Sequence, residues 1–598
     1  MVEPVSRLLA AVAPRTRAVV GLAVRIFEWS SFPRRFSRLS VEQRTKRLQA
    51  LERSTSSARR DLLLLMKTLA CLGYARDPAV QAAVGVAVRC ERAAGVLPPP
   101  PPAPLLQRAA LEAPDGVERC DVVVVGSGAG GAAAARMLAE QGLDVIVVEE
   151  GDYHDASDYD TDPLRGLPML YRDAGLTFCE GRPAIPLPVG RCVGGTTVIN
   201  SGTCFRTPPE VLTRWRDEHG IPWATELERE FEALERDLRV APVDPATAGR
   251  NAALCRAGAE AIGASNGPIR RNAGDVTCCG TCPTGCELDA KQAAHVSELP
   301  RAVAAGARVR AGQRVTRVIV EQGRAAGVAC RPRGAGSRYE VRARAVVLAA
   351  GALGTPELLL RQGLANGSGA VGRHLRIHPA CWVGALFDDS VRGWDGVMQS
   401  WYVDQWQDRG LFLEATFTPL PFGAHWMRGA GMELKQRLAA YDRLAVIGVH
   451  LSERGEGRVG LRGGRLRIRY GLRDDDAAEL RYGIARAADI HFAAGAREVY
   501  PQLGRVAALA PGEQEARVER ASFKPAELRL EAFHPLGTAR MGSDPAGSVV
   551  APTGESHDVP GLYVADASLM PTSLKVNPMI TIMACARRVA GGLAERLG

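Results

Sequence analysis

Lysine is nearly missing from this chain. Six lysines stand against 69 arginines in 598 residues, alongside abundant Ala and Gly, which reads as genome composition and not as function. No apolar run reaches the roughly 18–20 residues a bilayer-spanning helix needs. Residues 8–13 and 18–27 are too short, and Pro14, Arg15 and Arg17 interrupt them. The apolar core and small-residue cleavage site of a secretory signal are also lacking. These absences predict a cytoplasmic or peripheral-membrane protein. No internal repeat is found. The first 60 residues hold 13 Lys and Arg against 4 Asp and Glu, an excess of nine that equals the net charge of the whole chain. The remainder is neutral, which argues against nucleic-acid binding. The basic N-terminal arm reads as a solvated or packed helix, with an amphipathic helix on an anionic membrane surface as the alternative.

Length predicts more than one domain. Residues 32–96 read as a helical extension, because 44–65 alternates apolar and basic positions at helical spacing. Five consecutive prolines, Pro98 to Pro102, cannot continue a helix and form a stiff spacer over 97–104. The arm is taken as 1–31.

A βαβ unit follows. Asp121-Val-Val-Val-Val125 is β-branched throughout, as suits a parallel strand buried on both faces. Gly126-Ser-Gly128-Ala-Gly-Gly131 turns into a helix over 132–141, and residues 143–148 return as a strand ending at Glu149. Gly126 permits the tight turn, Gly128 lets backbone approach a pyrophosphate, and Gly131 lets helix pack on strand. The helix N-terminus offers free N–H groups to phosphates. Glu149, 18 residues past Gly131, is placed to accept from ribose hydroxyls. Residues 308–320 and 341–348 supply further strands. Between about 377 and 525 the pattern changes to an antiparallel hairpin around Gly463-Gly464 and a helix over 474–492. This stretch is read as an inserted substrate domain. The dinucleotide domain then occupies 105–376, with an insertion at 205–300, and resumes at 526–598.

Two further glycine-rich stretches, Gly190-Arg-Cys-Val-Gly-Gly195-Thr-Thr-Val-Ile-Asn200 and Ala349-Ala-Gly351-Ala-Leu-Gly354-Thr-Pro, suit a long buried cofactor. Near the C-terminus stand His534-Pro-Leu-Gly-Thr-Ala-Arg-Met-Gly542, Val564-Ala-Asp566 and Val576-Asn577-Pro578. Taken together, from about Cys120 onward, these segments resemble the glucose–methanol–choline (GMC) flavin oxidoreductase family. The resemblance implies FAD and an α/β fold: a Rossmann-like FAD domain, an α+β antiparallel substrate domain, and here an N-terminal helical extension. It places Gly190, Gly194, Gly195, Thr196 and Asn200 near the flavin ring. Val315 and Ala567 join the cofactor contacts. Asp566 would bond the ribityl–pyrophosphate region, and the Asn577-Pro578 backbone the pyrimidine end of the ring.

Oxidising an alcohol removes a hydroxyl proton and a hydride, and the hydride is the flavin's business. The proton needs an acceptor neutral at working pH, which suits histidine. His534 is the candidate base. Asn577 is its partner, with an amide able to hold the substrate oxygen; the family has His or Asn there. His154, His425 and His557 are read as structural, and His378 is placed only as a possible neighbour of the site.

Cys279-x-x-Cys282-x-x-x-Cys286 has spacing that could hold an iron–sulfur cluster, or else one disulfide in a thiol-rich loop. It resembles a segment of the long-chain alcohol oxidase-like branch. Residues 32–95 are similar to the small helical subunit of flavin gluconate dehydrogenases. Extension, cysteine segment and His/Asn pair together favour that alcohol oxidase-like branch. The implied activity is oxidation of a hydrophobic, long-chain primary alcohol to the aldehyde, with O2 or another acceptor taking the electrons. The alternative is a sugar, polyol or sterol dehydrogenase feeding a quinone or cytochrome.

Overall fold

A computed structural model describes residues 2–86, 91–92, 106–114, 116–273, 276–277, 280–333, 339–504 and 506–598. The proline spacer and Cys279 lie outside the described residues.

The β-branched run becomes a strand over Gly116–Val125, and its last four residues are fully buried, as a strand covered on both faces must be. It pairs in parallel with Val145–Val148 on one side and Tyr339–Leu348 on the other, with Val125 opposite both Val148 and Leu348. Arg308–Arg310 adds a parallel edge beside Val145–Val148. The central Tyr339–Leu348 strand is shared. Its first half pairs antiparallel with Arg324–Pro332, and its end pairs in parallel with Leu562–Val564. The C-terminal segment is thereby brought back beside the first glycine turn. The expected single strand over 308–320 is two, Arg308–Arg310 and Gln313–Glu321. The chain breaks at Gly312, whose φ of 68° favours glycine.

The second sheet is wholly antiparallel, in the order Glu498–Tyr500, Ala380–Leu386, Leu444–Leu451, Leu411–Thr416, Gln399–Val403, Asn266–Pro268. The Asp474–Ala493 helix covers one face, its first turn carrying three aspartates that complement the helix dipole. The helix Arg250–Ala261 packs beside it, burying Ala252, Cys255 and Ala259 in the same core. Residues 250–268 were expected in the insertion of the first domain. They belong to this second sheet instead, because their apolar face finds its partner there. The Gly463-Gly464 hairpin forms as expected, both glycines at positive φ.

The extension is helical over Val41–Glu52, Ser57–Ala75 and Pro78–Val84, preceded by Val2–Ala11 and Pro14–Glu28. These helices pack on the body. Leu8, Val12 and Val20 share a cluster with Leu69, Leu72, Leu164 and Ala174. A buried ionic group fastens the extension to the body. Glu52 accepts from the Gly429 N–H (3.1 Å) and Arg529 (3.3 Å), and Lys67 donates to Gly429 O at 3.0 Å.

Candidate active site

A cavity of about 920 Å³ opens where the carboxyl ends of the parallel strands meet the uncovered face of the antiparallel sheet. Strand ends Val125 and Val148 supply one wall, Trp382, Gln399 and His450 a second, and the helices of the extension, through Leu8, Leu64, Leu65 and Leu72, a third.

The first glycine turn fits a dinucleotide on its own geometry. The helix Ala129–Glu140 has Gly128 as N-cap with no side-chain hydrogen bond, so its first N–H groups face the cavity unclaimed. Gly128 itself has φ −69°, which any residue tolerates. A Cβ there would meet only Gly195 Cα, at 3.9 Å. Neither strain nor protein packing requires glycine at 128; an occupant of the cavity does. Gly130 and Gly131 differ. Added Cβ atoms would fall 2.0 Å from Ala565 O and Gly126 O, so these glycines join the helix to its neighbours.

Of the predicted cofactor residues, Gly126, Gly128, Glu149, Gly190, Gly195, Thr196, Asn200, Val315, Asp566, Ala567 and Pro578 line the cavity together. Gly131 and Gly194 do not; both act through close backbone packing. Gly194 donates its N–H to Ser127 Oγ (3.0 Å), clamping the second glycine stretch to the first. Glu149, the expected ribose partner, lines the cavity and also shapes the turn: its oxygens accept from Ser127 N–H (2.9 Å), Ser127 Oγ (2.7 Å) and Gly151 N–H (2.8 Å), and burial holds its pKa up. Asp566 is similar. Its carboxylate accepts from Gly351 N–H (2.8 Å), Thr355 Oγ1 (2.6 Å) and Ser568 N–H (2.7 Å), tying the third glycine stretch to the C-terminal segment. Burial pushes its pKa up as well. Asn200 accepts from Gly202 N–H. Beneath that loop the buried Lys291 donates to Val198 O at 2.8 Å and supports it.

His534 and Asn577 both line the cavity. Three more histidines join them: His378 lies against His534, and His450 and His425 are in the wall. His425, read as structural, faces the cavity 3.7 Å from Glu531. His154 and His557 are structural, contacting Asp158 and the Ser548/Gly542 turn.

The hydrogen bonds fix the tautomers. Leu574 N–H donates to His378 Nε2 at 3.1 Å, so neutral His378 carries its proton on Nδ1. That proton points at His534 Nδ1, 3.1 Å away. His534 therefore accepts at Nδ1 and carries its own proton on Nε2. Burial, then His378 and His450, hold its pKa well below the ordinary histidine value. His450 is arranged the other way. Its Nε2 donates to Glu414 Oε2 at 2.8 Å, leaving Nδ1 bare. Glu414 is fully buried, accepts also from Gln399 Nε2, and has Oε1 without a partner. Both residues lie on the cavity face, because Glu414 pairs across the sheet with Gly448, two residues before His450. Gly448 has no side chain to stand between them. Sequence reasoning missed this pair. The signal was a lone Glu in Leu411–Thr416 and a lone His in Leu444–Leu451, both otherwise apolar or small strands.

Cys282 is buried and accepts from Arg271 at 3.6 Å. Among the described residues no group of three His, Cys, Asp or Glu is placed to hold a metal.

Family models described as GMC oxidoreductase match residues 167–380 and 453–586, and one described as FAD binding domain matches 121–157. An uncharacterized GMC-type oxidoreductase of Mycobacterium tuberculosis is 43% identical over 479 residues, covering 79% of this chain and 76% of that one. A long-chain-alcohol oxidase of Arabidopsis thaliana is 29% identical over 513 residues, covering 80% and 68%. The solved structure of an Aspergillus oryzae formate oxidase variant superposes with a TM-score of 0.62 at 17% identity, covering 81% and 99%, a likeness of fold. With the uncapped helix and open glycine turn facing one cavity, these likenesses have one reading: the chain belongs to the GMC oxidoreductase family and is an FAD-dependent oxidoreductase.

Proposed function

We propose that the protein oxidises a long-chain, apolar primary alcohol to the aldehyde. The observation that carries this is the cavity wall. Beyond His534 it is built from Trp382, Phe422, Trp426 and Phe533, then from the leucines of the extension. Such a wall suits an alkyl tail. FAD, when bound, supplies the hydride acceptor. The chain orients the alcohol and takes its hydroxyl proton, which leaves the C–H hydride free to depart as the C=O bond forms. Asn577 holds the oxygen. His534 is the base in this reading, as the His-Pro-Leu-Gly segment implies. Acceptance at its Nε2 requires the proton between the two Nδ1 atoms to belong to His534, and hence the His378 ring to turn away from Leu574.

The Leu574–His378 bond favours a second assignment. Here His534 Nε2–H and Asn577 hold the oxygen, and His450 Nδ1 takes the proton, with Glu414 stabilising the imidazolium as a second carboxylate does in a triad. The two assignments separate in anaerobic stopped flow. If His534 is the base, His534→Ala slows reduction about 10²–10⁴-fold and His450→Gln changes it little. If His450 is the base, His450→Gln and Glu414→Gln both give the large loss. For a His534 base the sign of the pH effect is set. Its lowered pKa keeps it neutral above pH 6.5, so reduction holds steady there and falls only at more acid pH. An acid limb at or above 6.5 would contradict that role.

A further inference from the structure

The Pro14–Glu28 helix is turned inside out. Its inner side buries Val20 against Leu69 and Leu72, while Thr16, on that side, donates to Asp173. The outer side carries Val19, Leu22, Ile26 and Trp29 at spacing i, i+3, i+7, i+10, a continuous helical stripe. They are 56%, 57%, 53% and 47% exposed, and Phe32 in the next turn is 81% exposed. A soluble helix normally faces such a stripe inward. Charge surrounds it with one sign. Residues 14–38 contain six arginines and a single acid, Glu28, which is engaged by Ser37 N–H. Arg35 lies over the Trp29 ring at 5.0 Å.

Position gives the stripe a use. The inner side of this helix belongs to one cluster with Leu8 and Leu72, and those two residues line the cavity. The helix thus packs on the cluster that also supplies part of the cavity's apolar wall. We propose that the outer face of Pro14–Glu28, with Trp29 and Phe32, docks on an anionic lipid surface, the apolar stripe entering the interface and Arg15, Arg25, Arg34, Arg35 and Arg38 meeting the headgroups. Docking then brings the apolar end of the cavity close to the bilayer, the source of an alkyl alcohol. The docking stands on the helix alone; its use for substrate entry rests on the proposed apolar alcohol.

The test sediments the full-length holoenzyme with phosphatidylcholine vesicles, with and without phosphatidylglycerol, at low and high salt. Binding is expected to the phosphatidylglycerol vesicles, weakening as salt rises. The combined variant Leu22→Ser, Ile26→Ser, Trp29→Ser is expected to bind at least about tenfold more weakly. It should keep its flavin and its rate with a short, water-soluble alcohol, because none of the three lines the cavity. Absence of vesicle binding, or binding undiminished in the triple variant, would overturn the proposal. So would a concentration-dependent dimer that the triple variant abolishes, since a second copy would then cover the stripe. None of these outcomes depends on which alcohol is oxidised.

Discussion

At the scale of single residues, the site is made by the absence of a side chain as much as by its presence. Gly448 lets Glu414 reach His450, and Gly128 leaves its Cβ direction empty of protein. Gly128→Val should fold, since its φ is ordinary and the nearest protein atom stands clear. It should emerge without flavin, because the added methyls occupy the pyrophosphate path. The ratio of flavin to protein absorbance reads this directly, and full occupancy would mean that the turn holds something else. Gly128 and His534 were legible in the sequence because their meaning lies within a few neighbours: strand, turn, helix for one, a nine-residue motif for the other. His450 and Glu414 were not, because each is one polar residue in an apolar strand. Only the register of the two strands makes them a pair.

At the scale of elements, the extension is both a wall and an attachment. Its hold on the body depends on Glu52. Burial opposes the Glu52 charge, yet Lys67, Arg529 and Arg428 keep its pKa below the ordinary range. Burial likewise lowers Lys67, to about 8. Removing the carboxylate with Glu52→Ala leaves these cations buried without it, a loss of about 3–5 kcal/mol. That loss should fall on the extension first. Amide hydrogen exchange in Val41–Glu52 and Ser57–Ala75 should rise by orders of magnitude while Gly116–Val125 stays protected. Equal protection in both regions would show that apolar packing holds the helices without the ionic group. The helices themselves were readable from periodicity. Their contact with the cavity was not, because nothing local in Leu8 or Leu65 points to residues some 500 positions away.

At the scale of the whole molecule, three units meet around the cavity, and two of them are discontinuous in sequence. Val122 to Val125 announced the parallel sheet because burial on both faces leaves an unbroken β-branched run. The antiparallel sheet was legible only in part. Asn266–Pro268 and the Arg250–Ala261 helix join it from outside the 377–525 stretch, and three residues of edge strand carry too little pattern to declare a partner. The leucine and aromatic wall is what ties this assembly to an alkyl substrate. The most direct test mixes the holoenzyme anaerobically with primary alcohols of graded chain length and follows the bleaching of the flavin band. Bleaching is expected to quicken as the alkyl chain lengthens to fill the cavity, with polyols ineffective. Bleaching by sugars or polyols in preference to long alcohols would contradict it.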